Sequence, residues 1–194
     1  MKAKLVLIIT VGSLLLQVNN LNAQSFKLKN YRVTIKGTSS LHEWESVVEK
    51  VEGKGYYTLQ NNELVDVKDV VIKIPVTSIK STKGKTMDNK TYEAFHHEKF
   101  PYIIFTLNTE KINGATSTIS AAGNLAMGGA TNQINLSISY KLLPNGELQL
   151  TGSKTFLMTD FKMQPPTAMM GTIKVGNEVL MTFDITLINN KEIL

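Results

Sequence analysis

Hydrophobic and polar residues alternate along most of this chain. The clearest example runs from Ile134 to Leu142, where every second side chain is apolar and the residues between are asparagine, serine or lysine. The segment from Val179 to Leu187 repeats the pattern, with one wholly apolar face and one mostly polar face. A period of two is typical of a strand that is buried on one side only. Both segments are therefore predicted to be antiparallel β-strands with one solvated face.

Further segments of the same character bring the predicted number of strands to about eight. They are Tyr31–Gly37, Val47–Leu59, Val65–Ile79, Tyr102–Ile112, Ser117–Met127 and Leu148–Phe161. Turn-forming pairs such as Asn61-Asn62, Asn113-Gly114 and Gly128-Gly129 separate several of them. Long strands joined by short turns favour an all-β antiparallel meander closed into a barrel, because closure removes exposed strand edges. A β-sandwich of the same strands is the structural alternative.

One stretch, residues 85–99, breaks the β-strand pattern. Asp88 or Asn89 is a candidate helix cap, and the residue before Pro101 would end the helix because proline disfavours a helical backbone at the preceding position. Tyr92 and Phe95 fall at helical spacing. The sequence therefore predicts one short helix between the third and fourth long strands, lying across an end or a side of the barrel.

The N-terminus has the pattern of a secretory signal peptide. Lys2 and Lys4 precede an apolar stretch from Leu5 to Leu16, and a polar turn leads to Ala23, where we expect cleavage. The apolar stretch is about twelve residues long, whereas a membrane-spanning helix needs roughly 20. We predict that residues 1–23 are the signal peptide, that residues 24–194 form one β-barrel domain, and that the protein is exported to the periplasm without spanning a membrane.

Composition and charge narrow the function classes. The chain has no cysteine, which excludes disulfides, thiolate metal sites and a lipid-modified cysteine at the cleavage point. Removing Lys2 and Lys4 with the signal peptide lowers the formal net charge from +5 to +3, and the remaining lysines are spread along the chain. No nucleic-acid partner is expected from such a distribution. The oligomeric state is not predicted.

The reactive side chains match no catalytic or metal-binding pattern. His96 and His97 are adjacent, so on a helix they would point about 100° apart and would not share one metal. His42 with one of that pair and a nearby glutamate is a conceivable zinc set, but its spacing matches no known ligand signature. Ser39 and Ser40 lie near His42 without an oxyanion-hole motif. We expect no enzyme activity, no metal and no cofactor.

Several segments, taken in order and spacing, resemble the YceI-like family of exported bacterial lipocalin-like barrels associated with polyisoprenoid binding. The segments are Gly37–Glu45, Met87–Phe95, Phe100–Phe105, Ala122–Leu125, Gly152, Asp160–Pro166 and Ile173–Val179. The resemblance spans most of residues 24–194. It implies an eight-stranded lipocalin-like barrel with a short helix, enclosing an apolar tunnel for an isoprenoid chain such as that of a quinone. No catalytic residues carry over from it.

The inward faces of the predicted strands agree with an apolar ligand, because they offer few groups that could hydrogen-bond a polar one. The candidate lining residues are Phe105, Ile138, Tyr140, Met158, Met181 and Phe183. The candidates for contact with a polar head group at the tunnel mouth are His42, Trp44, Tyr92, His96 and His97. His42 and Trp44 could instead close one end of the barrel without touching a ligand.

Two non-enzymatic functions are compatible with these features. The first is binding or carrying an isoprenoid or another long-chain amphiphile, of quinone or polyprenyl type, inside the barrel. The second is an envelope interaction or stress-response module without bound lipid, which an apolar stripe on outward positions such as Val71, Ile104 and Leu180 would favour.

Overall fold

The computed structural model describes residues 23–190. Its strands are β1 (Ala23–Ser39), β2 (Glu43–Val48), β3 (Glu52–Gln60), β4 (Glu63–Pro75), β5 (Ile79–Ser81), β6 (Tyr102–Asn113), β7 (Thr118–Met127), β8 (Ala130–Leu142), β9 (Leu148–Leu157), β10 (Thr167–Ala168) and β11 (Ile173–Asn189). Helix α1 covers Lys85–Ala94, and short 3-10 helices cover Val76–Ser78 and Met158–Phe161. Apart from Ala23, the predicted signal peptide lies outside the described residues.

Eight strand positions close into one antiparallel barrel. Hydrogen-bonded neighbours run in the order β1, β3, β4, β6, β7, β8, β9 and β11, and pairing of β11 with β1 completes the circle. The β1–β11 ladder alone extends from Phe26–Asn189 to Ser39–Val175. Because the sheet closes on itself, the predicted barrel is confirmed and the alternative of a sandwich is excluded.

The strand predicted over Val47–Leu59 is divided into β2 and β3, and β1 pairs with both. The first residues of β1 pair with β3, whereas Thr34–Thr38 pair with β2. At the break, the Ser78 hydroxyl shares its hydrogen between the carbonyl of Lys50 at 3.2 Å and that of Pro75, three residues earlier in the chain, at 2.7 Å. The Lys50 oxygen, which lies between the two strands, thereby gains a hydrogen-bond donor.

Helix α1 begins earlier than the sequence predicts. Its N-cap is Gly84, with φ +91°, so the predicted cap at Asp88 or Asn89 is wrong. Asp88 is instead buried within the helix and accepts a hydrogen bond from the backbone N–H of Ser81 at 2.6 Å. The carboxylate therefore ties α1 to β5, which places the helix beside one end of the barrel.

Candidate functional site

Two adjoining chambers occupy the barrel interior. The upper chamber, beside α1, has a cavity volume of about 100 Å³, counted as the space open to the centre of a water-sized sphere. The lower chamber has about 150 Å³ on the same basis. Because one water molecule needs roughly 10–15 Å³ on this measure, each chamber exceeds the space of a single water severalfold. The barrel interior is therefore not filled by its own side chains.

The chambers meet at a ring of residues that borders both. These residues come from five different strands and are Val33, Ile74, Ile103, Leu125 and Met181. Their side chains are all aliphatic or thioether, so an apolar chain could cross this ring without losing a hydrogen bond. We call this set the junction ring, and the two chambers together the tunnel.

Polarity is distributed unevenly along the tunnel. The lower chamber presents an apolar surface, and Glu110, the one polar residue among about twenty apolar ones in its lining, contributes carbon atoms and no carboxylate oxygen to it. The upper chamber also contains Ser46, Ser81, Lys90 and Thr91 in its lining. A ligand that matched this gradient would be apolar along most of its length and polar at the upper end.

Glycines let aromatic rings lie flat against the tunnel wall. A Cβ on Gly152 would come within 2.5 Å of the Phe183 ring, and a Cβ on Gly123 would come within 2.5 Å of the Phe105 ring. Both phenylalanines line the lower chamber. In the upper chamber the Trp44 indole lies against Gly37 in the same way, and its Nε1–H donates to the Thr38 carbonyl at 3.0 Å. The close approach at glycine holds the rings at the wall and leaves the centre open.

Helix α1 presents one face to the upper chamber and another to the strands. Met87, Thr91, Ala94 and Phe95 border the chamber, at the spacing expected for one helix face. Tyr92 lies on a different face, where its hydroxyl donates to the Thr77 carbonyl at 2.9 Å and accepts from Lys80 Nζ at 2.6 Å. The helix thus forms part of the chamber wall while its opposite side is fixed to the 3-10 helix and β5.

An open groove leads from the upper chamber to solvent between α1 and the segment that follows β9. It shares Lys90, Ala94 and Pro166 with the chamber lining. Glu93, His96, Lys162 and Gln164 complete its polar part. We call this feature the mouth groove; it brings cationic and hydrogen-bonding groups to the end of an apolar tunnel.

The structure distributes the predicted lining residues over both chambers. Met158 borders the upper chamber, Phe105, Ile138 and Phe183 border the lower one, and Met181 belongs to the junction ring. Tyr140 packs against the buried cluster around Tyr57 and Leu148 instead of bordering either chamber.

The predicted mouth residues fall into three places. Tyr92, His96 and His97 line an open groove at the C-terminal end of α1, where the His97 ring is tilted by 47° against the Tyr92 ring with 5.3 Å between centroids. His96 also borders the mouth groove, whereas Trp44 lines the upper chamber. His42 is exposed in the β1–β2 turn, where its Nδ1 lies 2.8 Å from the Glu43 carbonyl.

Sequence reasoning missed two parts of the tunnel. The chamber-facing side of α1 has a signal in the sequence, the apolar or small residues Met87, Thr91, Ala94 and Phe95 at helical spacing. Glu110 has none, because a bulge between Leu107 and Thr109 shifts the alternation of β6 by one residue. Burial beside the lower chamber raises the pKa of the Glu110 carboxyl, and the nearby Asp66 carboxylate raises it further.

The backbone ladder between β4 and β6 does not run the full length of the lower chamber. It covers five residue pairs, from Pro75–Tyr102 to Val71–Thr106. Both strands continue beyond that point, and Val67, Leu107 and Glu110 border the chamber from these unpaired stretches. Backbone hydrogen bonding in the wall is therefore interrupted beside Glu110.

Within residues 23–190, no three His, Asp or Glu side chains come together as a metal site. In the same part of the chain, no helix has the length and apolarity required to cross a bilayer.

Comparisons with known proteins identify the fold. The chain is similar in structure to BcnA from Burkholderia cenocepacia, with 12% sequence identity over 80% of this chain and 95% of that one and a TM-score of 0.63. It is also similar to a polyisoprenoid binding domain from Saccharophagus degradans implicated in plant cell wall breakdown, with 8% sequence identity over 86% of this chain and 99% of that one and a TM-score of 0.64. The Campylobacter jejuni YCEI protein aligns over 99% of this chain and 100% of its own (17% identity, TM-score 0.55). No curated protein sequence matches. The YceI-like domain matches residues 19–187, and the chain therefore belongs to the YceI-like family.

Proposed function

We propose that this protein binds or carries an isoprenoid-type lipid, of quinone or polyprenyl type, in the barrel tunnel, without catalysing a reaction. The observation that carries the proposal is that two apolar chambers adjoin at the junction ring, whose residues line both. A lipid-binding role is also supported by likeness in fold to the polyisoprenoid binding domain.

The gradient of polarity sets the orientation of the ligand. An isoprenoid tail in the lower chamber would meet apolar surface throughout, including the carbon atoms of Glu110. A polar head would then lie in the mouth groove, where Lys90, Lys162 and Gln164 offer hydrogen-bond donors. A ligand without a polar end would leave these donors to water, so we favour an amphiphile over a plain hydrocarbon.

Binding energy sets a minimum tail length. At roughly 0.3 kcal/mol per heavy atom, one five-carbon isoprene unit contributes about 1.5 kcal/mol. Micromolar affinity corresponds to about −8 kcal/mol, which requires on the order of five or six buried units. We infer that a chain of this length extends past the junction ring and occupies both chambers.

The proposed site of action is the cell envelope. Residues 1–23 have the pattern of a signal peptide, which supports export to the periplasm. Isoprenoid lipids partition into membranes, so a protein that moves or protects them in an aqueous compartment needs an enclosed apolar site.

The first test is native mass spectrometry of the protein purified from the envelope fraction of its own cells, followed by organic extraction. A co-purified isoprenoid with a polar head is the expected result. Protein that is free of lipid, and that also fails to bind ubiquinone or undecaprenol after delipidation, would overturn the proposal in favour of an interaction module.

A substitution at the junction ring tests whether the ligand passes between the chambers. Met181→Trp should weaken binding of a long-chain quinone about tenfold or more, because the larger ring narrows the passage and shortens the tail that can be buried. Leu180→Trp is the matched control, since Leu180 is the next residue of β11 and is exposed on the outer wall. Equal affinities of the two variants, measured by isothermal titration calorimetry on protein that remains folded, would contradict the passage of the chain.

A further inference from the structure

The largest exposed apolar side chains lie together at one end of the barrel. Met170 is fully exposed, Met169 is 73% exposed and Leu41 is 66% exposed, whereas the exposed fraction of the other large exposed apolar side chains is near 40%. Leu41 is in the β1–β2 turn, and the two methionines are in the β10–β11 turn. We call these three residues the apolar tip.

Hydrogen bonds hold the two turns side by side. The Ser40 N–H donates to the Lys174 carbonyl at 2.9 Å, and the Lys174 N–H donates to the Ser40 hydroxyl at 3.2 Å. The β1–β11 ladder ends next to them at the Ser39–Val175 pair. Both turns therefore project in the same direction from one edge of the barrel.

Met169 and Met170 have an unusual backbone conformation. Met169 and Met170 have φ +48° and +55°, in the left-handed region that residues other than glycine, asparagine and aspartate seldom adopt. This conformation is strained for methionine, and asparagine or aspartate would adopt it with less strain. The stability of the turn therefore does not explain why methionine occupies these two positions.

The tip adjoins the tunnel and lies near two lysines. Pro166 and Val175, at the base of the β10–β11 hairpin, are hydrogen-bonded to each other and line the upper chamber. Lys162 and Lys174 lie in the segment that carries the two methionines, and Glu43 and Asp160 are the acidic residues at the borders of the two turns. Neither lysine has an ion-pair partner among residues 23–190.

We propose that the apolar tip docks this protein on the surface of an anionic lipid bilayer, so that the upper chamber opens towards the membrane. The proposal rests on the proposed function, since the tunnel ligand is a membrane lipid. Exposed apolar side chains flanked by lysines fit the boundary between head groups and acyl chains, where the methionines enter the apolar phase and the lysines meet phosphate. Docking would let an isoprenoid pass between bilayer and tunnel without crossing water.

Cosedimentation with vesicles tests the docking. Residues 23–194 contain every strand of the closed barrel, so the protein from Ala23 onward is used. It should bind vesicles of equal parts phosphatidylglycerol and phosphatidylcholine more strongly than vesicles of phosphatidylcholine alone, and added salt should weaken that preference. Met169→Asn with Met170→Asn should reduce binding at least about tenfold, because two apolar side chains no longer enter the bilayer.

Asparagine is chosen because it tolerates the left-handed backbone, so the variant should keep the melting temperature of the parent. The matched control is Leu157→Thr with Leu180→Thr, which removes exposed apolar side chains from the outer wall and should leave vesicle binding unchanged. Lys162→Gln with Lys174→Gln should abolish the preference for phosphatidylglycerol.

Vesicle binding that survives Met169→Asn with Met170→Asn, or that the control lowers equally, would overturn the proposal. A change of oligomeric state in the tip variant, with vesicle binding intact, would assign the tip to a protein contact instead. Quinone binding measured without vesicles separates the two proposals: the tip variant should retain it, and a protein that docks but binds no quinone would refute the tunnel function alone.

Discussion

Replacing Gly152 by alanine distinguishes a hollow barrel from a solidly packed one. Gly152 lies opposite Phe183 in the β9–β11 ladder, and a Cβ there would sit 2.5 Å from Phe183 Cζ and 2.9 Å from Cε1. Carbon atoms in contact are normally about 3.5–4.0 Å apart. The ring must therefore move by about 1 Å or more, and the direction open to it is the lower chamber.

A filled core and a hollow barrel predict different losses of stability for Gly152→Ala. In a filled core, the displaced ring would overpack its neighbours at a cost of about 1–3 kcal/mol. In the hollow barrel, the ring swings into the chamber, and the loss of stability should stay below about 1 kcal/mol, since alanine in a strand is favoured over glycine by roughly 0.5–1 kcal/mol. The ring then occupies the place of about one isoprene unit, which lowers ligand affinity by about 1.5 kcal/mol, or roughly tenfold.

Two measurements are needed: urea unfolding of the ligand-free protein, and quinone titration followed by fluorescence. Gly114→Ala is the control, because the nearest atom to its added Cβ is the Tyr140 hydroxyl oxygen at 4.0 Å. A variant at Gly152 that loses about 3 kcal/mol of stability while binding quinone as tightly as the parent would refute the reasoning, since the ring would then have moved into packed protein.

Two further substitutions test the wall of the tunnel. Asp88→Ala should lower the free energy of unfolding by about 1–3 kcal/mol, because the part-buried N–H of Ser81 loses the buried carboxylate that accepts its hydrogen bond at 2.6 Å. The same variant should speed release of bound quinone in stopped-flow displacement, whereas Asn89→Ala should do neither. Glu110→Gln should raise the melting temperature near neutral pH but not below about pH 4, where the carboxyl is protonated in both states. Burial raises the pKa of Glu110 in the folded protein, so its ionisation lowers stability as pH rises through that pKa. Glu178→Gln, at an exposed position of β11, should leave the pH dependence unchanged.

The sequence determined the architecture because its signals are local. Alternation in the segments that became β8 and β11 gave strands with one apolar face, and tight turns such as Asn61-Asn62 joined neighbours in an up-and-down order. The apolar faces also indicated the wall residues Phe105, Ile138 and Phe183, since a closed barrel turns these faces inward. The short helix was foreseen for the same reason, as the one place where the period of two fails.

Tertiary structure decided what local patterns do not encode. The bulge in β6 turns Glu110 towards the lower chamber, and no rule of alternation predicts where a ladder slips by one residue. Whether Tyr92 faces the tunnel or β5 depends on the rotation of α1 about its own axis. The hydrogen bond between Asp88 and Ser81 restricts that rotation. Hollowness depends on long-range packing, because the barrel stays open only where rings such as Phe183 find a glycine on the neighbouring strand, a contact between residues about thirty positions apart in the chain.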